Sequence, residues 1–271
     1  MSVQPILING EWVAADASST FQATNPATKQ KLDGEFPVSS WSDCEKAIAA
    51  AATAAVAMRE LSGEQIAAFL EEFANQIEQR KDELVAMANA ETALPVSPRL
   101  ADGELPRTTG QLRQAAAAAR SASWRNATID TVNDIRSVLG PIGPVCVFGP
   151  NNFPFAFGSI SGGDFAAAIA AGNPVIGKAN SSHPGTTRIF GEAALAAINA
   201  TDVPAATVQL LYRTSHSDGE RLVSDPRIGA TGYTGSRSAG LKLKAAADAA
   251  GKPIYVELSS VNPVVILPGA L

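Results

Sequence analysis

Past Gly140-Pro141-Ile142-Gly143-Pro144 the chain keeps one rhythm: short apolar runs of strand length, each followed by a stretch of helical character. Strands are predicted at Val145–Phe148, Pro174–Lys178, Thr207–Leu211, Ile228–Tyr233 and Ile254–Leu258. Helices are predicted between them, at Gly162–Ala171, Gly185–Asn199, Ser217–Ser224 and Ser236–Ala250. Such alternation constrains the fold strongly. Parallel neighbours need a crossover, so the pattern specifies βαβ units and an α/β, doubly wound, mostly parallel sheet. In sheets of that kind ligands bind outside the carboxyl ends of the strands. The strand-to-helix loops are therefore where function is sought. Val264–Leu267 reads as one more strand.

Upstream, Ile6–Val13 alternates around Asn9-Gly10, a short hairpin signal. Ser42 and Glu45 have capping-box spacing at the start of an Ala-rich helix running to about Leu61. Ser62 and Gln65 repeat the signal, and Ile66, Phe69, Leu70, Phe73 and Ile77 then line one helical face. Further helices are predicted at Lys81–Thr92 and Arg107–Ser121, with the proline-bearing segment Ala93–Pro106 as a loop. Thr128–Leu139 is rich in β-branched and aliphatic residues.

Composition excludes several classes. With 46% hydrophobic and 17% charged residues the chain can bury a large core, which sets disorder aside. A net charge of −5 without basic clusters leaves no electrostatic footprint for nucleic acid. No apolar run approaches the roughly 18 residues of a membrane span, and Met1–Val13 lacks a signal peptide's basic start. Cys44 and Cys146 are too few for a disulfide framework, so a cytoplasmic setting is expected. The two histidines and two scattered cysteines show no metal-ligand spacing.

Four loops carry unusual residues, and each has a plain reading beside a chemical one. Asn151-Asn152-Phe153-Pro154 follows the Val145 strand: an amide there could donate to a developing oxyanion, or simply build a turn. Lys178 leaves a strand towards Ser181 and a helix start, suited to ribose or phosphate, or merely solvated. His183 reads as a turn residue. In Tyr233-Thr234-Gly235-Ser236 the glycine permits close approach and Ser236 opens a helix facing a diphosphate, yet no G-x-G-x-x-G fingerprint is present. Glu257 ends an apolar strand, where burial would make a general base of it, or else it caps a turn or faces water.

In order and spacing these segments resemble the aldehyde dehydrogenase superfamily over essentially the whole chain. Ile8-Asn9-Gly10-Glu11-Trp12-Val13 is similar to the family's opening strand signature, and Asn25-Pro26-Ala27-Thr28 to the turn that follows it. Asn151-Asn152-Phe153-Pro154 matches its Trp-Asn-Phe-Pro loop, which implies that Asn152 is the oxyanion-hole amide. Gly172-Asn173-Pro174-Val175-Ile176-Gly177-Lys178 matches the strand whose lysine meets the adenosine ribose, and Tyr233-Thr234-Gly235-Ser236 the turn at the cofactor's diphosphate. Glu257 matches the glutamate that activates the hydrolytic water. Two departures matter. Ser259 and Ser260 stand where the family commonly has glycine, and Ser181 where NAD-preferring members place a ribose-binding glutamate. Losing that acid removes repulsion toward a 2′-phosphate, so NADP is expected to be accepted, with Arg213 as its phosphate partner. Asn152-Phe153-Pro154-Phe155, the Lys178 to Gly185 loop and Glu257-Leu258-Ser259-Ser260 are most similar to the NADP-dependent fatty-aldehyde and 2-oxoglutarate-semialdehyde dehydrogenase subgroup.

The resemblance implies a Rossmann-like cofactor domain built from residues 1–127 and 145–271, with residues 128–144 forming a protruding hairpin that bridges copies in a homo-oligomer. In this family a cysteine beyond the glutamate attacks the aldehyde, hydride passes to the nicotinamide, and the thioester is hydrolysed. Neither Cys44 nor Cys146 stands at that position, so the chain is expected to be a cofactor-binding piece without the catalytic domain. Two expectations follow: part of an NAD(P)-dependent enzyme oxidising a small aldehyde, or a non-catalytic nucleotide-binding or assembly module. In either case the face that a catalytic domain would cover is expected to expose apolar surface and promote association.

Overall fold

The computed structural model describes residues 3–270. The amino-terminal part contains β1 (Ile6–Ile8), β2 (Glu11–Val13), β3 (Ala17–Phe21) and β4 (Phe36–Ser39). Helices α1 (Trp41–Met58), α2 (Gly63–Gln79), α3 (Lys81–Thr92) and α4 (Leu105–Ser121) follow, then the hairpin of β5 (Thr128–Asp130) and β6 (Ile135–Ser137). The alternating half runs β7 (Val145–Phe148), α5 (Gly163–Ala170), β8 (Val175–Lys178), α6 (Pro184–Asn199) and β9 (Val208–Leu211). It ends with β10 (Arg213–Thr214), α7 (His216–Ser224), β11 (Ala230–Thr234), α8 (Arg237–Ala249) and β12 (Ile254–Glu257).

The main sheet has seven strands in the order β12-β11-β7-β8-β9-β1-β2. Its first five are mutually parallel, while β1 and β2 add an antiparallel edge. From β7 the crossovers through α5 and α6 step one way along the sheet, and the later ones through α7 and α8 continue on the other side of β7. Right-handed crossovers in opposite directions place their helices on opposite faces, so the sheet is doubly wound. All four residues of β7 and of β9 are buried, as strands covered on both faces must be.

Helix α2 shows how local sequence and packing agree. Ser62 accepts from the Gln65 amide while Gln65 reaches back to the Ser62 amide, closing the capping box. Ile66, Phe69, Leu70, Phe73 and Ile77 are buried on one face, and Phe73 meets Phe165 of α5 edge-on at 5.6 Å. Burial of each aromatic ring contributes on the order of 2–3 kcal/mol.

Three expectations are corrected. Helix α1 starts after Ser40, not Ser42. The Ser40 hydroxyl donates to Asp16 instead of capping, and Glu45 is taken by Arg227 at 2.6 Å and 2.8 Å, so tertiary ties displace the local box. Residues 93–106 are not a plain loop: Val96–Glu104 forms helical turns interrupted by extended Ser97, running into α4 with Pro106 in its first turn. Val264–Leu267 is no strand. It finds no ladder partner among the described residues, and Val264 and Val265 are 82% and 79% exposed. Apolar exposure also runs along the hairpin region at Ile129, Val132, Ile135, Val138, Leu139 and Ile142.

Candidate functional site

Because the sheet winds outward from β7 in both directions, a crevice opens between the carboxyl ends of β7 and β11. The loops after β7, β8, β11 and β12 converge there. They form two adjoining clefts that together contain every candidate residue.

The first cleft, about 670 Å³, includes Asn152, Gly235, Ser236 and Glu257. Its floor is the loop after β7, whose backbone is held at both ends. Asn180 donates to the Gly149 carbonyl at 3.1 Å, and the His183 ring Nε2 donates to the Pro150 carbonyl at 2.9 Å. Farther on, Arg99 donates to the Asn152 carbonyl at 2.8 Å, and Glu104 accepts the Phe155 and Ala156 amides at 3.1 Å and 3.4 Å. Asn151 and Asn152 stay exposed at the head of the loop, which leaves the Asn152 amide for a ligand.

His183 is thus more than a turn residue. It is 1% exposed, burial holds its imidazole below the ordinary range, and Nδ1 has no partner among the described residues. A neutral ring donating through Nε2 fits all three observations. Beside it Glu91 of α3 accepts the Gly185 amide and both the amide and hydroxyl of Thr186, each within 2.8 Å. That carboxyl caps α6 where the Ser181 loop enters it. Arg99, Glu104, Glu91 and the role of His183 escaped sequence reading. Their partners in the strand-end loops lie 33 to 95 residues away, and no local pattern announces them.

The second cleft, about 320 Å³, brings together Lys178, Ser181, Arg213, Tyr233 and Lys242. Burial, reinforced by nearby Arg213, pushes the Lys178 ammonium down to about 8. No hydrogen bond or ion pair among the described residues compensates it. A cation at a strand end, close to further cations and short of acceptors, suits a ligand bearing hydroxyl or phosphate oxygens.

Between the clefts lies the turn after β11. The Gly235 amide donates to the Glu257 carbonyl at 3.0 Å, tying β11 to β12, and Ser236 caps α8 by accepting from Ala239. A side chain at Gly240 would meet the Leu258 side chain at 2.3 Å and the Tyr233 ring at 2.9 Å, so any larger residue must push both aside for α8 to pack this closely. Glu257 closes β12 with its side chain exposed toward the first cleft, so this chain does not supply the burial imagined for a general base.

Neither cysteine reaches the clefts. Cys44 and Cys146 are fully buried, and burial pushes the Cys44 thiol up to about 12 and Cys146 higher still. Thiols so disposed are inert. Among the described residues no group of three or more His, Cys, Asp or Glu is arranged to hold a metal ion, and no helix is long and apolar enough to cross a membrane.

The model for the "Aldehyde dehydrogenase family" matches residues 12–270. The alpha-ketoglutaric semialdehyde dehydrogenase 2 of Azospirillum brasilense is 42% identical over 98% of this chain and 52% of its own length. The alpha-ketoglutaric semialdehyde dehydrogenase of Acinetobacter baylyi is 38% identical over 97% and 51%. This chain therefore spans about half the length of the curated relatives it matches. Among solved structures, succinate-semialdehyde dehydrogenase from Burkholderia pseudomallei superposes with TM-score 0.84 at 25% identity, covering 98% of this chain and 53% of that one. An E. coli NADP dependent enzyme superposes with TM-score 0.82 at 26% identity, covering 95% and 52%.

Proposed function

The chain belongs to the aldehyde dehydrogenase family, and from that premise we propose that it is the nicotinamide-dinucleotide-binding part of an enzyme that oxidises a semialdehyde to the acid. The observation carrying this reading is that Asn152, Lys178, Ser181, Arg213, Gly235, Ser236 and Glu257 all line two adjoining clefts at the sheet's switch point. When bound, the cofactor supplies a hydride acceptor.

This chain's residues have three tasks. Lys178 and Ser181 hold the adenosine ribose, Arg213 its 2′-phosphate, and Gly235 with Ser236 the diphosphate at the start of α8. Lys242 shares the cleft with Lys178 and Arg213, which adds positive charge around a phosphate. The absence of a carboxylate at Ser181 supports NADP over NAD. Asn152 donates to the oxygen that gains negative charge as the aldehyde carbon is attacked, and Glu257 accepts a proton from the water that releases the acid. The semialdehyde assignment rests on the names of two relatives, at 42% and 38% identity. Hairpin residues 128–144, whose strands β5 and β6 ladder only with each other among the described residues and which expose Ile129, Val132, Ile135, Val138, Leu139 and Ile142, are the proposed contact between copies.

A second reading is favoured by the inert cysteines: alone, this chain binds nucleotide without oxidising aldehyde. Calorimetric titration of the chain with NADP and with NAD tests the shared part of both readings. NADP is expected to bind more tightly, and Ser181→Glu to lower the NADP-to-NAD affinity ratio at least about tenfold. No binding of either nucleotide at millimolar concentration would sink the cofactor reading. An unchanged ratio would sink the role of Ser181 alone. Aldehyde-dependent NADPH formation by the purified chain would overturn the second reading.

A further inference from the structure

The loop bearing Asn152 is braced by a charged pair from outside the cleft. Glu104 is 3% exposed, its Oε1 accepting Arg99 Nε at 2.9 Å while Oε2 accepts the Phe155 and Ala156 amides. Arg99 uses a second face of its guanidinium: Nη2 donates to the Asn152 carbonyl at 2.8 Å, and the plane lies over the Phe153 ring at 4.0 Å. Two side chains thus touch four residues of one loop, 152, 153, 155 and 156. Among the described residues the Asn152 carbonyl has no other donor.

A buried carboxylate is a poor source of stability, because its desolvation offsets the attraction of its partner. What a planar guanidinium donating to two different acceptors supplies is geometry. Gly149 and Pro150 are already held by Asn180 and His183, so the rotation left open lies at Asn152 itself. Arg99 closes it. We propose that Arg99 and Glu104 are a positioning pair that sets the direction in which the Asn152 amide enters the cleft. The proposal rests on the reading of Asn152 as the donor to the developing oxyanion. Neither member lines the cleft.

The test is steady-state kinetics in a full-length enzyme containing this chain, with Arg99→Gln, Arg99→Lys, Glu104→Gln, Asn152→Ala and the double variant Arg99→Gln/Asn152→Ala. Losing an oxyanion donor costs about 100- to 1000-fold in kcat, and a donor displaced by about 1 Å costs up to about 100-fold. Arg99→Gln and Glu104→Gln are therefore expected to lower kcat roughly 10- to 100-fold with both KM values within about threefold, and Arg99→Lys to recover part of it. On the Asn152→Ala background Arg99→Gln should cost nothing more, since the group it aims is gone. If Asn152→Ala lowers kcat while Arg99→Gln leaves it within twofold, or multiplies with it, the positioning pair is refuted and Asn152 keeps its role. If Asn152→Ala leaves kcat unchanged, the reading of Asn152 falls, and the pair's purpose with it. Should Arg99→Gln not fold, amide hydrogen exchange on this chain carrying Arg99→Lys decides. Faster exchange at Phe155 and Ala156, with Gly158 unchanged, supports the pair, and unchanged exchange at all three overturns it.

Discussion

Glu91 carries a pH dependence whose sign and size follow from its surroundings. The carboxyl is 3% exposed at the start of α6, and burial pushes it up to about 7, against 4.5 for an ordinary glutamate, despite three donors from Gly185 and Thr186. With the folded-state value above the unfolded one, the unfolded chain loses this proton first as pH rises. The site therefore costs stability between about pH 4.5 and 7 and nothing further above. A gap of this size corresponds to roughly 3 kcal/mol in total, of which about 2.5 kcal/mol develops between pH 5 and 8. Glu91→Gln keeps an acceptor for the helix start and abolishes the titration. Urea denaturation of both proteins at pH 5, 6, 7 and 8 is expected to show the wild type losing about 2.5 kcal/mol relative to the variant across that range. A stability difference that stays flat, or moves the other way, would mean that the three hydrogen bonds and the positive end of α6 outweigh burial and that Glu91 is ionised in the fold. The argument from burial would then be refuted.

Further outcomes are expected elsewhere. Lys178→Met should raise the thermal midpoint, because an uncompensated cation leaves a half-buried, poorly solvated site, while weakening NADP at least about tenfold by titration. Stronger or unchanged NADP binding would remove Lys178 from the cofactor site. Gly177→Ala would set a methyl 2.2 Å from Ile160 and 3.1 Å from the Ser159 carbonyl, so a loss of about 1–3 kcal/mol is expected in chemical denaturation. Phe73→Ala, removing a fully buried ring packed on Phe69 and Phe165, should cost about 3–5 kcal/mol by the same measurement.

The alternation of strands and helices after Val145, the paired cap of α2 and its apolar stripe were all legible in the sequence. Each is written within a few residues, and a period of 2 or 3.6 expresses itself wherever the segment lands. The loops at the strand ends were legible for the same reason: Asn152, Lys178, Gly235 and Glu257 stand at fixed offsets from strands that the pattern locates. Where the chain had to choose among distant partners, local reading lost its hold. Ser42 and Glu45 spell a cap, yet Asp16 takes the hydroxyl of Ser40 and Arg227 takes Glu45. Val264–Leu267 spells a strand, yet no neighbour pairs with it among the described residues. Prolines around Arg99 and Glu104 spell a loop, although these two residues reach about fifty positions along the chain to grip the turn at Asn152. A propensity is a property of a segment, whereas a buried charge or a ladder bond exists only once a second segment has been brought to it. The fold class and the location of the candidate site were therefore determined by the sequence alone, while the bracing of the loop at Asn152 was decided by tertiary packing, which alone chooses who meets whom.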